Sequence, residues 1–242
     1  MKATWFKTWF NTKYYHILYK NRDHKEAQLF IDRLVSVLNL TNEKCLDLAC
    51  GRGRHSVYLS KKGLDVTGLD LSEESIDFAK QFETDKLRFG VHDMREVYAH
   101  EKFDVVFNLF TSFGYFDSES ENLKVLQSVH HMLKDDGRLV IDFMNATQVV
   151  RNLKDYEVKT IDSIDFHIRK SYTGKHILKN IQFEADNEKF DFTEKVQALE
   201  KKDFLSLLEQ AGFVLENSYG DFQLSEFTSA TSERLILIVK KK

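Results

Sequence analysis

The sequence predicts a doubly wound α/β fold that carries a small inserted antiparallel sheet. From about residue 24 to residue 154, short apolar runs alternate with amphipathic helical stretches, as parallel strands joined by crossover helices require. Near Asp155 this pattern gives way to period-two stretches joined by turn-like segments, which read as antiparallel strands. The helix and strand pattern resumes near residue 199 and continues to the end.

From His24 to Leu40, Ala27, Phe30, Ile31, Leu34, Val37 and Leu38 recur at three- and four-residue spacing, which predicts a helix. The run KCLDLAC is a strand, RHSVYLSKKG a helix closed by Gly63, and LDVTGLD a second strand. SEESIDFAKQFE is a helix with Ser72 at its N-cap and acids in its first turn, where the helix dipole favours them. Strands LRFGVHD and FDVVFNLF follow, then a helix through SENLKVLQSVHHMLKDDG that ends at Gly137, and a strand at RLVIDFM. The inserted strands are DFHIRKSY, HILKNIQFEA and KFDFTEKV; a helix KKDFLSLLEQAG and strands FVLENSYGDF and ERLILIVK complete the chain. Residues 1–154 are thus expected to form the N-terminal helices and most of the main domain, 155–198 a cap, and 199–242 the completion of the main domain.

Composition bounds the function. The 242 residues are 42% hydrophobic and 30% charged, the mixture of a folded globule. Lys and Arg number 35 against 38 Asp and Glu, so no overall positive field favours nucleic acid as a partner. The aromatic N-terminal stretch MKATWFKTWFNTKYY is broken by lysines, and no later segment is a long apolar run, which predicts a cytoplasmic protein with no membrane partner. Cys45 and Cys50 are five residues apart, about 16 Å in an extended strand at ~3.3 Å per residue. That separation predicts reduced, buried thiols. None of the nine histidines falls in a metal-ligand motif, and no metal is expected.

The stretch CLDLACGRGRHS places Gly51-x-Gly53-x-x-Ser56 at the end of a strand, with Asp70 about 20 residues on. This nearly matches the dinucleotide fingerprint. Two residues point elsewhere: Ser56 replaces the third glycine, and Asp47 lies just ahead of the loop, where a pyrophosphate gains nothing from a carboxylate. An ammonium or sulfonium does gain from it. An adenosine ribose needs the acid at Asp70 in either case. Asp47 could also simply brace the loop.

The stretches LDLACGRGRHS, VTGLDLS, VHDMRE and FDVVFNLFTSFGYF, in this order between residues 44 and 145, resemble the motifs of class I S-adenosylmethionine-dependent methyltransferases, and AGF with ERLILIVKK resembles their final hairpin. The resemblance implies a Rossmann-like sheet of seven strands with the last antiparallel, and S-adenosylmethionine as cofactor, released as S-adenosylhomocysteine. It puts Ala49, Cys50, Gly51 and Gly53 against the methionyl part together with Asp47, Asp70 on the ribose, and Leu71, Asp93 and Met94 beside the adenine. Asn108 and Phe110, at the end of the fourth strand, join the cofactor site.

The segment Asn108 to Phe116 would line the methyl-transfer site, with Ser112, Phe113 and Tyr115 toward the acceptor. Similar proteins fold a tyrosine-rich N-terminal segment over the cofactor, which implies that Tyr15, Tyr19 and Arg22 close the pocket. Tyr15, His16 and Tyr115 are the catalytic candidates, His16 as a base. The chain has no proline, so it lacks the acid or Asn, two prolines and aromatic of DNA adenine methyltransferases. The cap resembles that of glycine and aminosugar N-methyltransferases, which implies a small-molecule acceptor at N or O and leaves a homodimer open. The alternatives are a peptide or protein amine methyltransferase, a non-catalytic cofactor-binding module and an NAD oxidoreductase.

Overall fold

Strand β1, Lys44–Leu48, is buried from Cys45 onward, and it lies near the middle of a seven-stranded sheet. The computed structural model describes residues 5–20, 24–98 and 102–242. The other strands are β2 (Asp65–Asp70), β3 (Leu87–Val91), β4 (Phe103–Asn108), β5 (Leu133–Met144), β10 (Phe213–Tyr219) and β11 (Arg234–Lys241). Their order is β10-β11-β5-β4-β1-β2-β3. β11 runs antiparallel to both of its neighbours, and the remaining pairs are parallel.

Alternation within the strands feeds two cores. On one face, Cys45, Val66, Val105 and Phe107 pack with Phe30, Ile31 and Leu34 of α3 (His24–Val37), Leu59 of α4 (Arg54–Lys61) and Ile76 of α5 (Glu73–Ala79). On the other, Leu46, Leu48, Val106 and Ile141 pack with Val125 and Val129 of α6 (Glu119–Met132) and Phe204 and Leu207 of α8 (Lys201–Gln210). Strands covered on both faces read as nearly continuous apolar runs, which is why they were visible in the sequence. Ser72 caps α5 by accepting the Ser75 amide hydrogen at 3.1 Å.

The cap is a four-stranded antiparallel sheet, β6 (Tyr156–Ile161), β7 (Ile164–Tyr172), β8 (His176–Ala185) and β9 (Glu188–Gln197), in that order. Among the described residues, the core on its apolar face takes no residue from a helix of the main domain. Phe166, Ile168, Ile181 and Phe183 form a third core with Trp9 of α1 (Trp5–Phe10) and with Tyr14 and Leu18 of α2 (Lys13–Leu18). The N-terminal helices and the cap together make a roof.

Three local expectations need correction. α6 ends at Met132 rather than Gly137, because Leu133 turns to an extended ψ of 143° and pairs with Phe103. β6 is absent from the sequence expectation although Tyr156 and Val158 alternate with Glu157 and Lys159; the strand is short and exposed or half-exposed along its length. The short helix α7, Ala146–Arg151, buries only Ala146, too little for a periodic signal. Among the described residues no helix is long and apolar enough to cross a membrane. Cys45 and Cys50 are free, buried thiols.

Candidate active site

The loop leaving β1 makes the first wall of the site. Ala49, Gly51 and Gly53 have φ of 62°, 56° and 77°, so the chain coils tightly before α4 begins. Asp70, at the end of β2, pins that coil: one carboxylate oxygen accepts the Gly51 amide hydrogen at 2.8 Å and the other that of Ser72 at 2.8 Å. Burial pushes the Asp70 carboxyl above its ordinary pKa, against these hydrogen bonds. Two accepted hydrogen bonds leave an ionised carboxylate with further lone pairs.

Asp47 is 1% exposed and accepts the Ser56 hydroxyl at 2.6 Å. Burial pushes its pKa up to about 6; the Ser56 bond opposes this and the nearby Asp70 adds to it. Ser56, standing where a dinucleotide fingerprint has glycine, thus ties the first turn of α4 to β1. Asp47 braces the loop and still reaches the cavity described next.

A cavity of about 680 Å³ opens at the carboxyl edge of the sheet, where open parallel sheets bind ligands. Asp47, Ala49, Cys50, Gly51, Asp70, Leu71, Asp93, Met94 and Phe110 line it. Ser112, Tyr115, Tyr15, His16 and Tyr19 line the same cavity. Asp93 is gripped by Arg95 through two oxygens, at 3.0 and 2.6 Å, and Arg95 also donates to Glu121 at 2.8 Å. Burial raises the Asp93 pKa, but the Arg95 bonds outweigh it and hold the carboxyl below its ordinary range. Burial keeps Cys50 a thiol, far from thiolate.

Three expected site residues are placed otherwise, and a fourth is not among the described residues. Gly53 lies outside the cavity lining, because it caps α4 against the Phe89 ring; a Cβ there would stand 2.6 Å from Phe89 Cζ. Asn108 does not line the cavity. It braces the strand edge by donating to Leu48 O at 3.1 Å and Ser112 O at 3.3 Å. Phe113 is core, 2% exposed and packed on Phe204 at 5.5 Å between ring centroids. Arg22 lies outside the described residues.

Phe110 reaches the cavity through a left-handed turn, with φ of 59° at Phe110 and 62° at Thr111. Asp142 of β5 fixes that turn: its Oδ2 accepts the Phe110 amide hydrogen at 2.9 Å, and its carbonyl accepts that of Thr111 at 2.9 Å. Arg234 of β11 donates to Asp142 Oδ1 at 2.8 Å and to Thr111 Oγ1 at 3.1 Å. The Phe110 ring lies between Phe222, at 5.6 Å, and the Arg54 guanidinium, at 4.5 Å.

The roof supplies aromatic and charged residues that the sequence reading did not select. Trp5 and Phe10 line the cavity and meet Tyr115 edge-on at 5.4 and 5.7 Å. Phe10 meets Tyr15 at 4.8 Å, and Tyr15 meets Tyr19 at 4.9 Å. Glu194 of β9 accepts both the Trp9 indole hydrogen at 2.8 Å and the Tyr19 hydroxyl at 2.7 Å. Its signal was present: Phe190, Phe192, Glu194 and Val196 alternate along one strand face, so the carboxylate interrupts an apolar stripe. Arg54 and His55 also line the cavity.

A Rossmann-like sheet, an acid at the end of β2 bonded to the glycine loop and a roofed cavity define a nucleoside-binding α/β enzyme. Comparison with known proteins sharpens this. Residues 45–137 match the methyltransferase domain family. YqeM of Bacillus subtilis (strain 168), named as a methyltransferase, is 30% identical over 208 residues, which cover 82% of this chain and 84% of that protein. The glycine/sarcosine N-methyltransferase of Aphanothece halophytica is 30% identical over 218 residues, covering 84% of this chain and 77% of that one. The crystal structure of a methyltransferase from Clostridium acetobutylicum ATCC 824 shares the fold with a TM-score of 0.81 at 21% identity, covering 94% of this chain and 96% of that chain. The chain belongs to the class I S-adenosylmethionine-dependent methyltransferases.

Two outcomes follow from the loop. Gly53→Ala adds a left-handed alanine and an overlap with Phe89, together costing about 2–5 kcal/mol, whereas Gly51→Ala, with nothing within 4 Å of its Cβ, costs about 1–3 kcal/mol; urea unfolding separates the two. The Asp47 pKa rises from 3.8 to about 6 on folding, so protonation favours the folded state. Its share of stability is complete below pH 4 and is lost as pH rises through about 6. Relative to Asp47→Asn, the ligand-free wild type loses roughly 3 kcal/mol across that window; parallel stability curves for the two proteins would remove Asp47 as the cause.

Proposed function

We propose that this methyltransferase acts on an N or O atom of a small-molecule acceptor held at the roofed end of the cavity. The observation that carries the reading is that one cavity is lined both by Asp93 and Met94 at the sheet edge and by Tyr19 and Glu194 under the cap. Its volume is that of small-molecule sites, which span roughly 300–1,000 Å³. The roof of α1, α2 and cap covers the end where a polypeptide would need an open groove. The glycine/sarcosine relative supports an acceptor of this size.

The residues at the sheet edge fit an adenosyl cofactor. Asp70 offers carboxylate lone pairs to a pair of ribose hydroxyls, Leu71 and Met94 offer apolar faces to a purine, and Asp93 accepts from an exocyclic amine. The Cys50 and Gly51 amide hydrogens are donated to Leu69 O and Asp70, so the loop receives the amino-acid end through carbonyl lone pairs, and the Asp47 carboxylate complements its positive charge. When bound, S-adenosylmethionine supplies an electrophilic methyl whose bond to sulfur breaks, with its electron pair, as the acceptor's lone pair forms the new bond.

The chain's own contribution is alignment and exclusion of water, worth on the order of 7–11 kcal/mol in well-oriented reactions. Tyr115 and Ser112, on the loop after β4, orient the acceptor, while Trp5, Phe10 and Tyr15 shut out solvent. His16, at the same end of the cavity, takes the proton that the acceptor releases, since an imidazole accepts a proton near neutral pH.

Melting temperatures with S-adenosylmethionine, S-adenosylhomocysteine and NAD test the site. At 100 times its dissociation constant a ligand adds about 2.7 kcal/mol, a rise of roughly 5–11 °C for a chain of this size. The two sulfur compounds should give that rise and NAD none. Asp70→Ala, with its fold checked by circular dichroism, should weaken S-adenosylhomocysteine binding about tenfold or more in calorimetry. Unchanged affinity would take Asp70 off the ribose.

A further inference from the structure

We infer that the roof is an amine-recognition site, in which the Glu194 carboxylate receives the nitrogen of the methyl acceptor. The inference rests on the methyl-transfer reading and narrows its acceptor class. Glu194 is on β9 and Lys179 on β8, directly paired in the cap register. Both point to the apolar face, where their strand neighbours are Ile177, Ile181, Phe192 and Val196. Their side chains are 15% and 17% exposed, and Lys179 Nζ stands 3.6 Å from Glu194 Oε2.

A charge pair on such a face is an expensive way to hold a sheet together. Apolar residues of similar volume commonly do as well or better. The pair is also asymmetric toward the cavity: Glu194 lines it and Lys179 does not. Lys179 is drawn aside to the Tyr19 hydroxyl and lies over the Tyr19 ring at 4.5 Å. Glu194 Oε1 is occupied by Trp9 and Tyr19. Among the described residues Oε2 accepts no hydrogen bond, so this oxygen retains its capacity for a donor in the cavity.

The surrounding wall has matching chemistry. Tyr115, Trp5, Phe10, Tyr15 and Tyr19 form a run of rings in contact, each 4.8–5.7 Å from the next. Aromatic faces attract a cation, and a carboxylate at the end of the run supplies the charge. An ammonium satisfies both features; a hydroxyl satisfies only the hydrogen bond. The roof therefore selects nitrogen over oxygen before the methyl is transferred.

The two tryptophans of the chain, Trp5 and Trp9, both belong to this roof and report on it. Protein saturated with S-adenosylhomocysteine is titrated with isobutylammonium chloride, or with the isosteric isobutanol, while tryptophan fluorescence is followed. The expected result is a saturable change with the ammonium, at least tenfold weaker with the alcohol and at least tenfold weaker in Glu194→Gln. Glu194→Asp, which keeps the charge, should bind the ammonium more tightly than Glu194→Gln and guards against a variant that merely misfolds. Equal response to both probes, response to neither, or unchanged affinity in Glu194→Gln would overturn the inference. The thermal shift with S-adenosylhomocysteine keeps the two claims apart: if it persists in these proteins, only the amine site is rejected, and if wild type lacks it, the cofactor reading fails first.

Discussion

Buried and half-buried carboxylates at the carboxyl edge of the sheet hold the loops from which the site is made. Asp47, Asp70 and Asp142 each stand on a strand, and burial raises the pKa of each. Their hydrogen-bond partners are what make the placement tolerable: Ser56 for Asp47, the Gly51 and Ser72 amides for Asp70, and the Phe110 amide with Arg234 for Asp142. At Phe110 and Thr111 two left-handed residues cost about 1–3 kcal/mol each. Hydrogen bonds to a charged group contribute about 1.5–3 kcal/mol each, so the Asp142 contacts offset the strain of that turn. The loops are set before any ligand arrives.

That constraint also marks where the sequence was legible. The strands and their crossover helices could be read because burial on both faces leaves long apolar runs, and caps such as Ser72 are local signals. Asp70 and the glycine loop were legible for the same reason, since their spacing along the chain is set by one strand, one helix and the next strand. Phe110 and Phe113 were not separable by eye. Both are aromatic residues of one loop, yet Phe110 faces the cavity and Phe113 the core. The choice is made by Asp142, 32 residues further on, and by Arg234, which donates to Thr111 from 123 residues away. No window on the loop itself contains that information.

The roof was half legible. Tyrosines four apart near the N-terminus suggested a closing segment, and period-two runs after Asp155 gave the cap strands. What remained hidden was their mutual contact, because α1 and α2 meet β7 and β8 across more than half of the chain. Glu194 illustrates the difference between a signal and its meaning: a charge on an apolar strand face is visible in the sequence, but only the packing of Trp9 and Tyr19 against it turns it into part of a cavity.

The division into edge and roof has an energetic side. Among the described residues, the cap core shares no fully buried residue with the two cores of the main sheet. Its ties to the main domain run through the segment after β4: Gln197 donates its amide hydrogen to Gly114 O at 2.8 Å and its side-chain hydrogen to Phe116 O at 2.9 Å, and Asn122 donates to Gln197 Oε1 at 2.8 Å. That segment also carries Ser112 and Tyr115. The cap is therefore registered against the loop after β4, while Asn11, between α1 and α2, accepts the Ser72 hydroxyl hydrogen beside Asp70. Substitutions on the inner face of the roof change the cavity wall while the Asp47–Ser56 and Asp70–Gly51 hydrogen bonds at the sheet edge stay in place.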